Sequence, residues 1–429
     1  MSAVKPDYLS TPVSPLLWRL LWFWLSTSYT MPLLFPGSLY WVSAASVLIS
    51  VYLTVFFLYI WAYRPVKPVS RLAKWVYLYL GWVALASFLS PYVWENWLRT
   101  AGYFTSTAAL ITALIIGSRL LPSEYAFVSA GRSYVLGALI TTFALVLLSA
   151  EQSTRFGNDE LLHPNSLGFL YGSALCFLLA FKIYRSRVVN VVAALVFAVL
   201  LILTFSKTSI VAILAAVAVA IVFQRGWRRV KLLVYVLIGG GITIVALGDY
   251  IQEQIALYRK NPYLVSTLTG RTVLWSWTLD MVSQRPWTGY GYATFREVFR
   301  PASMSLGFIV PATQAHNAYL DALFTGGYLG MAIFMMVVAI SVFGMWKTAQ
   351  RLRGTWVAAF LMLLSTFLLV RSLTEGMLDL GRDFLLLIFA GMWVEAWARY
   401  RVNYKHHARA SHPQPLPPAR PVSTKFSRP

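Results

Sequence analysis

The sequence predicts an all-α membrane protein, a polytopic bundle of about twelve spanning helices with both termini in the cytoplasm. Three observations carry this expectation. Of the 429 residues, 58% are apolar and only 12% are charged, against about 25% charged in an ordinary soluble domain. Mean hydropathy is +0.64. Apolar runs of about 18 residues or more recur along most of the chain, each long enough to cross the hydrocarbon core. These figures exclude a soluble enzyme, a disordered chain and a secreted disulfide scaffold. The lone Cys176 lies in an apolar run and cannot form a disulfide within the chain.

The expected spans are 15–31, 38–62, 75–91, 97–117, 133–150, 166–182, 189–205, 209–224, 232–249, 317–346, 355–373 and 384–398. The first is interrupted by Arg19 and ended by Pro32, and it can serve as an uncleaved start. The next six are near-continuous apolar runs. Only Ser206-Lys207-Thr208 separates the seventh from the eighth, and Gly239, Gly240 and Gly241 interrupt the ninth. The tenth opens directly after His316, and the last two flank a turn that holds Glu375, Asp379 and Asp383. Backbone polar groups need partners inside lipid, which makes helices the reasonable spanning structure. The runs do not alternate as barrel strands would.

Charge placement sets the topology. Both termini and one set of alternate loops hold 25 of the 36 basic residues and only three of the 15 acids, Asp7, Glu124 and Glu395. The positive-inside rule puts that face in the cytoplasm. The net charge of +21 therefore reflects topology and needs no nucleic-acid partner. Residues 1–398 form the membrane unit. Residues 399–429 mix bases with Pro and read as a disordered, solvated or headgroup-contacting tail.

Most connections are short. The exceptions face the opposite side: 151–165 and, above all, the segment 250–316. Function tends to live in such loops. Within the larger one, Val273, Leu274, Trp277 and Met281 fall near one face of an expected interfacial helix. Pro286 stops it, and Gly289 and Gly291 allow a tight turn. His316 follows, at the membrane boundary and at the start of a helix, where anions are favoured. The same face carries Arg155, Lys207, Arg271, Arg371 and Arg382 at or near span ends. Charges at that depth are costly and mark functional candidates, although a snorkelling anchor is the plain alternative for Lys207. The shorter loop packs Arg155, Asp159, Glu160, His163 and Asn165 beside a span; Asn165 could cap the next helix. Asp159 and Glu160 could hold a metal with His163, but neither a second histidine nor regular ligand spacing supports one. Glu375, Asp379 and Asp383 could pair with Arg371 or Arg382.

Several fixed cations and one histidine at the edge of a bilayer suit a particular chemistry. Arginines neutralise a diphosphate and stabilise charge developing on it as a leaving group. A histidine can abstract a proton from a hydroxyl. A lipid diphosphate keeps its tail in the membrane and its headgroup at this depth. The combination fits glycosyl transfer from a polyprenyl-diphosphate-linked sugar to a hydroxyl acceptor. No Asp-x-Asp is present to hold a metal for a nucleotide-sugar donor.

Four segments, RFGNDELLHPNSLG (155–168), FSKTSIVAILA (205–215), LTGRTVLWSWTLDMVSQRPWTGYGYATF (268–295) and AHNAYLDALFTGGYLG (315–330), resemble the O-antigen ligase and O-antigen/exopolysaccharide polymerase superfamily of bacterial membranes. The likeness covers roughly 150–385. It implies a GT-C-like glycosyltransferase of the inner membrane with a periplasmic active site, one large periplasmic loop containing short helices, an undecaprenyl-diphosphate-linked glycan donor, and no metal or other cofactor. Carried over, Arg271, His316 and Lys207 are the expected catalytic residues: Arg271 holds the diphosphate, and His316 is the base or a phosphate contact. Lys207 stands where the superfamily commonly has Arg, so it supplies charge without a bidentate fork. Arg155, His163, Asn165, Asn317 and Arg371 are the expected substrate-binding residues.

A polymerase uses another lipid-linked repeat unit as acceptor, whereas a ligase uses lipid A-core or, in some relatives, a protein hydroxyl. The 268–295 segment is closest to the exopolysaccharide polymerase branch, with ligase as the alternative; chain-length regulators or export proteins are conceivable partners. A transporter or lipid-linked oligosaccharide flippase also has many spans, but it calls for repeat symmetry and broken helices. The sequence suggests neither, and Gly239–Gly241 has no counterpart six spans away.

Overall fold

The structure is a computed structural model that describes residues 13–28, 39–63, 70–95, 97–120, 124–148, 156, 163–180, 183–184, 186–223, 230, 234, 270–306, 308, 312–376 and 382–395. The described elements are helices: α1 (Val13–Thr27), α2 (Leu39–Tyr63), α3 (Arg71–Phe88), α4 (Pro91–Glu95), α5 (Trp97–Leu120), α6 (Glu124–Leu148), α7 (Pro164–Ala180), α8 (Arg187–Leu203), α9 (Lys207–Phe223), α10 (Arg271–Gln284), α11 (Phe295–Ser303), α12 (Ala318–Arg351), α13 (Trp356–Ser372) and α14 (382–395). Eleven of these coincide with expected spans, mostly within four residues at each end. The exception in length is α6, which begins at Glu124 rather than 133 because Ala126, Phe127 and Ala130 are buried in its first turns. The expected span 232–249 apart from Val234, the segment 250–269 and the tail 399–429 lie outside the described residues. Among the described residues, three helices are long and apolar enough to cross a membrane: Thr100–Ser118, Ala126–Leu148 and Ala318–Arg351. Helices α7, α8, α9 and α13 are apolar but shorter, at 17 residues each.

Capping residues set several starts. Ser70, Ser186 and Thr355 accept the backbone N–H three residues on, satisfying donors that have no partner within the helix. The core sits where α1, α6, α7, α13 and α14 meet. Trp18, Trp22, Phe127, Phe177, Phe360, Phe389 and Trp393 interlock there, with ring centroids as close as 4.1 Å between Phe127 and Trp393. Edge-on packing aims ring hydrogens at ring faces and adds about 0.5–1.5 kcal/mol per pair beyond burial. On either side, α9 lies along α13, α12 along α3 and α13, and α2 along α5.

The tenth span departs from expectation. Helix α12 is broken at Gly327, with φ 64° and ψ −165°. A short half-helix, 318–326, precedes the break and carries His316 and Asn317 at its head. The break frees backbone groups that cannot be left bare at membrane depth. The loop after α10 satisfies them: Tyr290 N–H donates to Phe324 O (2.8 Å), Gly291 N–H to Thr325 O (3.0 Å), and Tyr328 N–H to Pro286 O (2.7 Å). Trp82 Nε1 donates to Gly326 O at 2.8 Å. A Cβ on Gly327 would lie 2.4 Å from the Trp287 carbonyl carbon, and one on Gly289 2.4 Å from Phe324 O. The glycines of PWTGYG and FTGG thus let two backbones dovetail. The sequence alone predicts an unbroken span, because Gly-Gly in an apolar run also fits a continuous helix.

Gly327→Ala is expected to destabilise the fold by several kcal/mol, combining a positive φ with a backbone clash. Gly354→Ala, at φ 86° with open space around it, is expected to cost only about 1 kcal/mol. Thermal unfolding in detergent compares the two, and equal losses would show that the dovetail adds nothing.

Candidate functional site

Four helices, α7, α9, α10 and α12, begin within one small region at the end of α13. Each N-terminus carries a positive partial charge from N–H groups that have no acceptor within their own helix. At their meeting point lies Glu375, three residues past α13, with its side chain 2% exposed. One carboxylate oxygen, Oε1, accepts from Arg271 Nη2 at 2.7 Å and from Asn165 Nδ2 at 2.8 Å. The other, Oε2, lies 3.4 Å from His316 Nδ1. Burial is the strongest single influence on this carboxyl and pushes its pKa up. The hydrogen bond from His316 and the charges of His316, Arg371 and Arg271 together outweigh it and hold the value at about 2. Glu375 is therefore ionised at neutral pH.

Each neighbour is placed by its own local structure. Arg271 opens α10 after Gly270, whose φ of 84° turns the chain into the helix. Its Nη1 also approaches Thr208 Oγ1 at 3.4 Å, and Thr374 donates to the same hydroxyl at 2.9 Å. The buried stripe of α10 is Leu274, Thr278 and Val282. Trp277 packs on Phe295, Phe299 and Phe324. Of the expected stripe, Leu274, Trp277 and Met281 lie in the cluster that joins α10 to α11 and the α12 half-helix.

His316 has φ 54°, unusual for a residue with a Cβ. Two contacts hold the flanking backbone. Ala315 N–H donates to Asp321 Oδ1 at 2.7 Å, and Asn317 caps α12 by accepting from Tyr319 and Leu320 N–H. The Asn317 amide also donates to Leu373 O at 3.0 Å, tying the half-helix to the end of α13. On α7, the cap is His163 and not Asn165. His163 Nδ1 accepts from Asn165 N–H at 3.1 Å and so caps the helix, while the Asn165 side chain reaches Glu375.

Lys207 is the first residue of α9 and is exposed. It follows a tight turn in which Phe205 has φ 49°. Arg371 is different. It is fully buried with each nitrogen engaged: Nη1 pairs with Asp383, Nη2 donates to Asn165 O at 3.0 Å, and Nε donates to Ser209 Oγ at 3.2 Å. The ring of Phe169 lies under its guanidinium at 5.0 Å. Arg371 thus joins the ends of α7, α9, α13 and α14. The expected pairing of acids with Arg371 holds for Asp383, while Glu375 turns to Arg271 and His316. Arg155, Asp159, Glu160 and Asp379 lie outside the described residues.

The structure brings Asn165, Arg271, His316 and Glu375 together, with Thr208 and Thr374 beside them and Arg371 behind. Sequence reading missed Glu375 as the hub. Its signal was present, an acid at an outer span end in a chain with few acids, but not its partners.

Residues 191–335 match the O-antigen ligase family model. That stretch contains Lys207, Arg271, His316, Asn317 and the broken half-helix. The chain is also 24% identical over 280 residues to the O-antigen ligase of Pseudomonas aeruginosa. The chain is similar to O-antigen ligases. The alignment spans 62% of this chain and 63% of that relative's length. Both findings support the O-antigen ligase and polymerase superfamily that the four sequence segments resemble.

Arg371→Met would leave the buried Asp383 carboxyl without its ion-pair partner, and is expected to cost about 3–5 kcal/mol. Adding Asp383→Leu is expected to recover most of that loss. Melting curves of the single and double variants in detergent decide it; an undiminished loss in the double variant would count against the ion pair as the cause.

Proposed function

We propose that this protein is a membrane glycosyltransferase that moves a glycan from a polyprenyl diphosphate, undecaprenyl diphosphate in bacteria, to a hydroxyl acceptor at the periplasmic face of the inner membrane. The observation that carries this reading is the convergence of Arg271 and His316 at the meeting point of four helix N-termini, at the ends of apolar helices. A diphosphate placed there meets a guanidinium and positive helix ends, while its lipid tail stays among the apolar helices.

In the reaction the acceptor O–H loses its proton to His316 as its oxygen bonds to the anomeric carbon of the glycan. The bond from that carbon to the diphosphate oxygen breaks, and the lipid diphosphate leaves with the electron pair. Arg271 stabilises the charge gathered on the leaving oxygens. Lys207, exposed at the same helix end, adds positive charge toward the diphosphate. Arg371 is read as part of the frame and not as a substrate contact, because its guanidinium is enclosed and its three nitrogens are engaged. His163 and Asn317 are likewise read as caps that shape the site.

Both comparisons carry the ligase description, which brings transfer to lipid A-core level with the polymerase reading that the 268–295 segment favours. The two differ only in the acceptor, so one assay separates them. Purified protein in nanodiscs receives an undecaprenyl-diphosphate-linked oligosaccharide with and without lipid A-core, in the presence of EDTA. Longer lipid-linked glycans from donor alone identify a polymerase; product that requires lipid A-core identifies a ligase.

In that assay Arg271→Ala is expected to abolish product while the protein still folds, and His316→Ala to slow turnover by roughly 10²-fold or more. Wild-type yield from Arg271→Ala would overturn the diphosphate role. Lys207→Arg is expected to keep activity and Lys207→Met to lose it. Equal activity of the two would make Lys207 a snorkelling anchor.

A further inference from the structure

We propose that Glu375 is the positioning residue of this site: it accepts the Nδ1–H of His316, fixes the tautomer that presents Nε2 to the acceptor hydroxyl, and anchors Arg271 on its other oxygen. This inference rests on the glycosyl-transfer reading and adds a residue and a task to it.

The tautomer follows from chemistry. An ionised carboxylate has no proton to donate, and Glu375 is held ionised by the groups around it. The hydrogen of its contact with His316 therefore sits on Nδ1. In a neutral imidazole the lone pair is then on Nε2, the nitrogen farther from Glu375. Exposure supports the same division of labour: the His316 side chain is 27% exposed and the carboxylate behind it 2%. The contact is 3.4 Å long, and such contacts commonly tighten when substrate arrives. When His316 takes the acceptor proton, the imidazolium gains an adjacent anion, and the positive charge is matched where it forms. This is the logic of a base held by a buried carboxylate.

The two oxygens divide the work. Oε1 carries Arg271 and Asn165, and Oε2 faces His316. One side chain thus sets the separation between the base and the cation that receives the leaving group. Around it, the charged groups on the packed elements are Arg371 and Asp383, paired with each other behind Asn165, together with Asp321 on α12 and Lys207 at the start of α9. Asp321 accepts from Ala315 N–H, one residue from His316. Of these, Glu375 is the acid in contact with both Arg271 and His316.

Two measurements test this. The first reads the His316 tautomer by ¹⁵N NMR of histidine-labelled protein in nanodiscs without substrate, assigned by difference from His316→Gln. The Nδ1–H tautomer is expected in the wild type and its loss is expected in Glu375→Gln. An Nε2–H tautomer in the wild type would overturn the proposal. The second is the kinetic split. Glu375→Gln is expected to lower kcat by roughly 10²-fold with the donor KM changed by less than about threefold, and Glu375→Asp to recover part of the loss. A normal kcat, or an effect confined to KM, would refute the positioning role. If Glu375→Gln fails to fold, the wild-type tautomer and Glu375→Asp kinetics still decide. If the wild type transfers no glycan at all, the glycosyl-transfer reading fails, and the tautomer measurement judges the His316 contact on its own.

Discussion

A carboxylate that stays charged while almost wholly removed from water is the constraint around which this end of the protein is organised. Burying an unpaired anion costs several kcal/mol. Glu375 avoids that cost because Asn165, Arg271 and His316, from three separate stretches of the chain, meet on it. The reverse also holds. Positive helix ends and Arg271 would repel one another if brought together without an anion, whereas Arg371 has its own in Asp383. The Glu375 carboxylate therefore satisfies the fold and holds the candidate chemistry in register.

The second layer of organisation is a backbone accounting problem. Breaking α12 at Gly327 gives a half-helix whose head lies beside Glu375 and whose tail rests on the loop 286–291. Every polar group the break exposes among Phe324, Thr325, Gly326 and Tyr328 is met by that loop or by Trp82. The half-helix is thereby fixed at both ends, which is what allows His316 to be held at φ 54°. Strained residues persist where their surroundings over-determine them, and they gather at functional sites.

Much of this was legible in the residues, and the limits have physical causes. All-helical architecture and the location of most helices followed from hydropathy, because apolar run length is a local property. Arg271, His316 and Asn165 stood out because polar groups at span ends in a chain this apolar are rare. Glu375 did not, since its partners are 104, 59 and 210 residues away and no local pattern links them. That His163 caps α7 while Asn165 reaches Glu375 was equally hidden: either side chain can cap a helix, and only the position of Glu375 decides which one does. The break at Gly327 depends on a loop some forty residues upstream, so an apolar run alone could not show it.

The two arginines nearest Glu375 show why charge at membrane depth is an incomplete guide to function. Arg371 has no exposed surface, and its three nitrogens are committed to Asp383, Asn165 O and Ser209. A ligand could reach it only by breaking the joint between α7, α9, α13 and α14. Arg271 keeps 15% of its side chain exposed, shares one strong contact with Glu375 and makes only a long 3.4 Å contact with Thr208. An incoming diphosphate can supply acceptors to that second nitrogen without removing the first from its carboxylate. The same residue type thus serves as a rivet in one place and as an available cation in another. The cost of placing each at this depth is similar; what differs is how many of its donors the protein has already used.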